Sequence, residues 1–335
     1  MNDFHFDTEI ILQLFNAGAR IVEKPIPTYY GDEICRVNGM KYAKDVLLAT
    51  ARNAAHRSGL LYQRRFEPVT RGNAHYDLKL GYASSHSYAL DAVPQGTKVV
   101  DIGAGPGGIA RELTKKGCVT TVVDQFAPEG VAENVQVIRQ DLDGELAFDP
   151  RDYDYLLLLD VIEHLRDPEQ FLAKLRGRLD HQPKTLILTT PNIAFIVQRL
   201  MLLFGQFNYG KAGILDRTHT RLFTFRSIRH LLRDQGFQIK EMKGVPAPFP
   251  KALGDNWLGR LALRTNVALI RVSKSLFSYQ IYVRAETTPD VAFIIRDTKQ
   301  NSSLRAATIS ARKADADASP IEGSARLASS HADAE

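Results

Sequence analysis

The 335-residue sequence predicts an α/β fold built on a doubly wound, mainly parallel sheet, and three observations carry that prediction. From Gly96 to about Gln182, strand-like and helix-like segments alternate. Apolar runs such as "YLLLLD" are continuous, as in strands buried on both faces of a parallel sheet. The β-branched segment "KVVDIG" runs through the cluster "GAGPGG" into a helix, the strand-turn-helix order of such folds.

In chain order, "TEIILQLFNAG" reads as a short helix closed by Gly18, because glycine takes the left-handed conformation that ends helices. "ARIVEKPIPTYY" reads as an edge strand, where prolines are tolerated, and "GMKYAKDVLLATARNAAHR" as a second helix. These elements are too few for a core of their own. Next come "KVVDIG", the helix "GGIARELTKKG", the strands "VTTVVD", "VQVIRQD" and "YDYLLLLD", the helix "PEQFLAKLRGRL" and the strand "KTLILTTPN". An apolar helix around "IAFIVQRLMLLFGQF", a linker holding "LDRTHTRLFTF", a helix "SIRHLLRDQG" and strands near "FQIKEMKG" and "SYQIYVRAE" follow. The Ala- and Ser-rich end lacks periodicity, so residues 298–335 are expected to form a disordered tail. The expected division is therefore 1–65, 70–290 and 298–335.

With 44% hydrophobic residues the chain is globular, and its formal charge of +5 is spread among interleaved acids and bases. A nucleic-acid partner is not called for. Cys35 and Cys118 are far apart and no CxxC occurs, so neither a disulfide framework nor a zinc site is expected, and no metal is assigned. Acids in "MNDFHFDTEIILQLF" do not suit a secretory signal, and no run reaches the roughly 18 apolar residues of a membrane span. A cytoplasmic setting is the expectation.

Glycines at a strand-to-helix turn admit a ligand to main-chain N–H groups and to the helix N-terminus. Gly103, Gly105 and Gly108 also satisfy G-x-G-x-x-G, which by itself suits NAD as well as other nucleosides. Asp124, ending "TVVD", can accept ribose hydroxyls in either case. Three features are not shared with NAD enzymes. Asp101, two residues before the first glycine, can hold an ammonium group; Asp141 in "VIRQDLDG" can meet an adenine edge; and "LLLLDVIEHLRDP" ends a strand in acids and a histidine.

Together these residues resemble the class I S-adenosylmethionine-dependent methyltransferases, especially the small-molecule branch that includes ubiquinone-biosynthesis O-methyltransferases. The likeness covers roughly Tyr76 to Ala285. It implies that Asp101, Gly103, Gly105 and Gly107 form the first cofactor motif, that Asp124 contacts the ribose, Asp141 and Leu142 the adenine, and that Asp160 lies beside the methionine portion. It also implies a Rossmann-like seven-stranded sheet with "SYQIYVRAE" inserted antiparallel.

Methyl transfer is an in-line displacement, so alignment and exclusion of water can supply much of the catalysis. A hydroxyl acceptor must also lose a proton, for which a histidine suits neutral pH. His164 in "VIEHLRDP" and His219 in "DRTHTRLF" are the candidates. Against these stand a capping role for Glu163 and His164 at the helix near Pro168, and a salt-bridged surface turn around His219. Tyr82 and His86 in "GYASSHSYAL" read either as a lid or as helix packing.

"IAFIVQRLMLLFGQF" reads as a packed helix or one that dips into an interface, with packing favoured. "NWLGRLALRTNVALIRVSKSLF" is basic and amphipathic, suited to anionic lipid or to packing with solvated bases. Peripheral membrane contact and a small-molecule, glycan or lipid-linked acceptor follow as expectations. The segments "FDTEI" and "EKPIPTYYGDE" resemble the end of a family 2 glycosyltransferase of the polyprenyl-phosphate type, over about the first 50 residues. Its nucleotide-sugar half and acid motif do not accompany them, so no sugar nucleotide is expected to bind, and the segment reads as a remnant of a longer fusion or of a chain begun at an internal Met. The leading function is an S-adenosylmethionine-dependent methyltransferase. An NAD-dependent oxidoreductase and a non-catalytic binding subunit are the alternatives.

Overall fold

The computed structural model describes residues 6–25, 27, 37–57, 63–66, 78–126, 131, 134–179, 184–210, 212–250, 254, 256–288, 295, 298–299, 301–303, 305–306 and 308–310. Up to Thr288 the chain forms one compact unit. Its centre is a seven-stranded sheet: β1 (Lys98–Ile102), β2 (Val119–Asp124), β3 (Gln136–Arg139), β4 (Tyr155–Leu159), β5 (Thr185–Pro191), β6 (Phe237–Val245) and β7 (Gln280–Thr287). The spatial order is β3-β2-β1-β4-β5-β7-β6. The first five strands pair in parallel, and β7 runs antiparallel to both β5 and β6. This is the Rossmann-like class I methyltransferase topology, with "SYQIYVRAE" inserted as expected.

Alternate residues of each central strand enter separate cores, which is why the strands read as continuous apolar runs. Val100, Ile102, Leu156, Leu158, Leu186 and Leu188 meet α5 (Pro168–Arg178) and α7 (Phe225–Asp234) on one face. On the other, Val99, Leu157, Leu159 and Ile187 meet α3 (Ser85–Ala92) and α4 (Gly108–Lys115). Further α-helices among the described residues are α1 (Phe6–Asn16), α2 (Gly39–Arg57), α6 (Ile196–Leu203) and α8 (Trp257–Val272), the last followed by the one-turn helix Lys274–Phe277.

α1 ends as the sequence predicts. Gly18 has φ of 68°, and the Gly18 and Ala19 N–H groups donate to the carbonyls of Phe15 and Leu14, the paired bonds of a glycine-terminated helix. α1 is joined to α2 by an Asn16–Asn53 hydrogen bond of 2.6 Å and to the single turn Arg64–Phe66 by an Arg65–Glu9 ion pair of 2.7 Å. The edge strand expected at "ARIVEKPIPTYY" is not formed by its described residues: 19–25 and 27 are coil. Pro25 and Pro27 have no N–H to donate to a ladder, and no strand pairs with this segment among the described residues.

α6 also departs from the favoured packed reading. Only Gln198 of its side chains is buried, while Leu203 and Phe204 are 76% and 75% exposed. Of the expected tail, the described residues between Thr298 and Ser310 are helical and exposed, and residues 311–335 lie outside the described set.

Candidate active site

The site forms where β1, β2 and β4 end, as parallel strands in open α/β sheets place it. Gly103, Gly105 and Gly107 have φ of 73°, 53° and 72°, so the turn follows a path that L side chains resist. At Gly103 a Cβ would lie 2.5 Å from the Val161 side chain, whereas at Gly105 nothing stands within 4 Å. Gly103 thus lets the β1 turn pack on the β4 turn, while Gly105 leaves open space in front of the main chain. The Gly105 N–H donates to Asp124 Oδ2 at 2.9 Å, and Asp124 Oδ1 accepts the Phe126 N–H at 2.9 Å. Each Asp124 oxygen keeps acceptor capacity for a hydroxyl.

A cavity of about 320 Å³ opens here, with Gly103, Asp124, Asp141, Leu142, Asp160 and His164 among its lining residues. Six of the sequence-predicted residues are therefore brought together. Gly105 and Gly107 belong to the turn without forming the wall, and Asp101 lies beneath it. The Asp101 side chain is 2% exposed and its Oδ2 has no hydrogen-bond partner. Burial, aided by the Asp124 charge, pushes its carboxyl up to about 7.

Asp160 has φ of 57°, the single positive value found for a non-glycine among the described residues. Such a conformation typically costs about 1–2 kcal/mol and needs fixing by its surroundings. Thr189 Oγ1 accepts the Asp160 N–H at 3.0 Å and donates to Oδ1 at 2.8 Å, while the Gln280 amide donates to Oδ2 at 2.7 Å. β5 and β7 thereby hold Asp160, and Lys79 Nζ stands 3.9 Å from Oδ2.

The linker after α6 closes down on the β4 turn. Thr220 and Arg221 N–H groups donate to the Glu163 carbonyl at 2.8 and 3.1 Å, and the Thr220 hydroxyl donates to the Leu165 carbonyl at 2.5 Å. This docking brings His164 and His219 together, with ring centroids 4.8 Å apart and planes at 70°. His164 Nδ1 lies 3.2 Å from the Thr218 carbonyl and His219 Nδ1 lies 2.9 Å from that of Ile214. A carbonyl only accepts, so each Nδ1 carries the proton and each Nε2 of the neutral rings is a free base. Burial lowers the His219 pKa, opposed by its bond to Ile214.

Glu163 is the residue the sequence undervalued. Its side chain is 1% exposed and neither carboxylate oxygen makes a hydrogen bond of ordinary geometry, although Thr190 exerts some favour on the charged form. Burial, with the Asp160 charge second, holds its carboxyl well above the usual range. One ligand atom from each of Glu163, His164 and His219 falls within 4.8 Å of the others, a nitrogen and oxygen donor set of a kind that divalent cations accept. The run "EHL" beside a distant His in a polar linker was the available signal. Glu163 and His164 do not cap α5; that is done by Asp167, whose side chain accepts the Gln170 N–H at 2.8 Å. Likewise His86 is buried within α3 and its Nδ1 accepts the Lys79 N–H at 3.0 Å, which is packing rather than a lid.

The family described as a methyltransferase domain matches residues 74–241. The ubiquinone biosynthesis O-methyltransferases of Klebsiella pneumoniae and Salmonella typhimurium are 30% and 29% identical over 113 residues, which is 31% of this chain and 44% of each relative. The chain thus matches less than half the length of those relatives. Among solved structures, a SAM-dependent methyltransferase from Aquifex aeolicus is 14% identical with a TM-score of 0.40, covering 62% of this chain and 90% of that one. The 1,6-didemethyltoxoflavin-N1-methyltransferase of Burkholderia thailandensis, solved with S-adenosylhomocysteine, is 17% identical with a TM-score of 0.40, covering 61% and 76%.

Proposed function

Because the chain belongs to the methyltransferase-domain family, we propose that it transfers the methyl group of S-adenosylmethionine to an oxygen of a small molecule. The observation that carries the cofactor reading is the polar cavity at the glycine turn, with its opposed acids and open backbone. The space before Gly105 suits a ligand approaching main-chain atoms, and the unpartnered Asp101 Oδ2 suits a cationic group. When bound, S-adenosylmethionine supplies an electrophilic methyl on a sulfonium.

Asp124 would accept the ribose hydroxyls, Asp141 and Leu142 would receive the adenine, and Asp101 would offset the ammonium charge. Asp160, fixed by Thr189 and Gln280, would align the methionine end. The linker docked on Glu163 would exclude water from the reacting pair. His219 or His164 would take the acceptor proton at its free Nε2 as the oxygen–carbon bond forms. The oxygen acceptor is supported by this histidine pair and by the names of the Klebsiella and Salmonella relatives. The exposed apolar side chains of α6 and α8 support a glycan or other acceptor carried on a lipid, with peripheral contact to a membrane. No helix among the described residues is long and apolar enough to cross one. To residues 1–65, whose glycosyltransferase likeness rests on two short segments, we assign no reaction.

Titration calorimetry tests the cofactor assignment. S-adenosylhomocysteine should bind and NAD should not, and Asp124→Ala should weaken binding by about 1–3 kcal/mol, the worth of hydrogen bonds to a charged group. Binding of NAD alone would overturn the reading.

A further inference from the structure

α1 is turned inside out for a surface helix, which ordinarily packs its apolar stripe inward and shows polar residues to solvent. Here the polar residues face the chain. Glu9 is buried and paired with Arg65, and the Asn16 amide donates to Asn53 Oδ1 at 2.6 Å and to the Phe66 carbonyl at 3.1 Å. The apolar residues face out. Phe6, Ile10 and Leu14 follow one another at four-residue spacing, as do Ile11 and Phe15, and at about 100° per residue the five span about half of the helix circumference. All five are exposed, by 37% to 57%.

α2 runs alongside in parallel. At the start of both helices the Tyr42 hydroxyl donates to Asp7 Oδ2 at 3.4 Å, and at their ends Asn16 meets Asn53 and Arg57 lies 5.1 Å from the centroid of the Phe15 ring. The polar contacts thus sit at the two ends of the apolar face, as a rim does around the core of an interface. α2 exposes Met40, Leu47 and Leu48 as well, by 41% to 85%. Taking about 200 Å² for each large side chain, the eight residues of the helix pair present on the order of 900 Å² to solvent. That exceeds the apolar patch of an ordinary monomer, about 300–600 Å², and matches the about 800 Å² that each partner contributes to a stable interface.

We infer that the exposed face of α1 and α2 is the contact surface for a second copy of this chain, related to the first by a two-fold axis. In such a contact the same patch serves both copies. The charges favour it: α1 carries Asp7 and Glu9 and no basic residue, whereas α2 carries Lys41, Lys44, Arg52 and Arg57 against Asp45 alone. Laying α1 of one copy on α2 of the other therefore opposes unlike charges. An anionic bilayer is a poorer match, because α1 would enter it with acids and nothing to hold lipid phosphates. The pairing is independent of the methyltransferase reading, and none of these residues lines the cofactor cavity.

Sedimentation equilibrium of the full chain tests it. A dimer should form within about 1–100 μM, since interfaces of this size associate in the micromolar range or more tightly. Ile11→Glu or Leu47→Glu should raise the dimer dissociation constant at least about 100-fold, because each buries an unpaired carboxylate at the contact. Both side chains are exposed in the single chain, so its far-ultraviolet circular dichroism should not change. Leu203→Glu, at an exposed apolar site on α6, should dimerise as the parent does. A parent that stays monomeric throughout this range, or a dimer that both substitutions leave intact, overturns the inference. Sedimentation of the parent with phosphatidylglycerol vesicles, lost on the same two substitutions, would also overturn it by assigning the face to a membrane.

Discussion

Asp101→Asn should stabilise the ligand-free protein, and by an amount that depends on pH. The carboxyl rises from 3.8 to about 7 because it is buried and faces the Asp124 charge. Between those values the folded state holds a proton that the unfolded chain has released, so stability falls as pH rises through this window and levels off above about pH 7. At 1.36 kcal/mol per pH unit, the full shift is worth about 4 kcal/mol above pH 7, of which about 3 kcal/mol accrues between pH 5 and pH 8. Asn fills the same space without a charge. Urea unfolding of both proteins at the two pH values should therefore show the variant gaining on the parent by up to that amount as pH rises. Every other titrating group is common to both proteins and cancels to first order. The same substitution should weaken S-adenosylhomocysteine binding, since the charge that destabilises the empty fold is the one offered to the ligand's ammonium. A stability difference that is flat from pH 5 to pH 8 would show that Asp101 is not a strained buried acid.

The glycine turn offers a contrast: Gly103→Ala drives a Cβ into Val161 as well as forcing a positive φ and should unfold at clearly lower urea, while Gly105→Ala meets open space, should lose only about 1–2 kcal/mol from backbone strain, and should show its main effect in cofactor affinity. Once an acceptor is in hand, Ala at the acting histidine should lower turnover about 100-fold to 10,000-fold with cofactor affinity retained. Because burial lowers the His219 pKa, its neutral form persists to lower pH, so a His219-driven rate should begin to fall only below the ordinary histidine range; a rate that falls from pH 7 downward would exclude it. If Glu163, His164 and His219 serve proton transfer alone, incubation with EDTA should leave turnover unchanged; loss on chelation with recovery on adding zinc or magnesium would assign them to a cation instead.

Where a local pattern has one physical outcome, the sequence by itself was enough. The continuous run of β4 could be buried only from both sides, Gly18 closed α1, and the order of Asp101, the glycines, Asp124 and Asp141 placed these residues at or just past successive strand ends. Those are short-range matters of periodicity and φ. The edge strand at residues 19–25 failed because a strand is defined by a neighbour, and none among the described residues pairs with it. The exposure of Leu203 and Phe204 at the end of α6 was undecided for a related reason: an apolar helix has the same sequence whether or not another surface covers it. Only tertiary structure could pair His164 with His219 across 54 intervening positions of linker and strand, or set the unbonded Glu163 beneath them. Each of these depends on how separately encoded elements dock, because desolvation and proximity belong to the assembled sheet and not to any one segment.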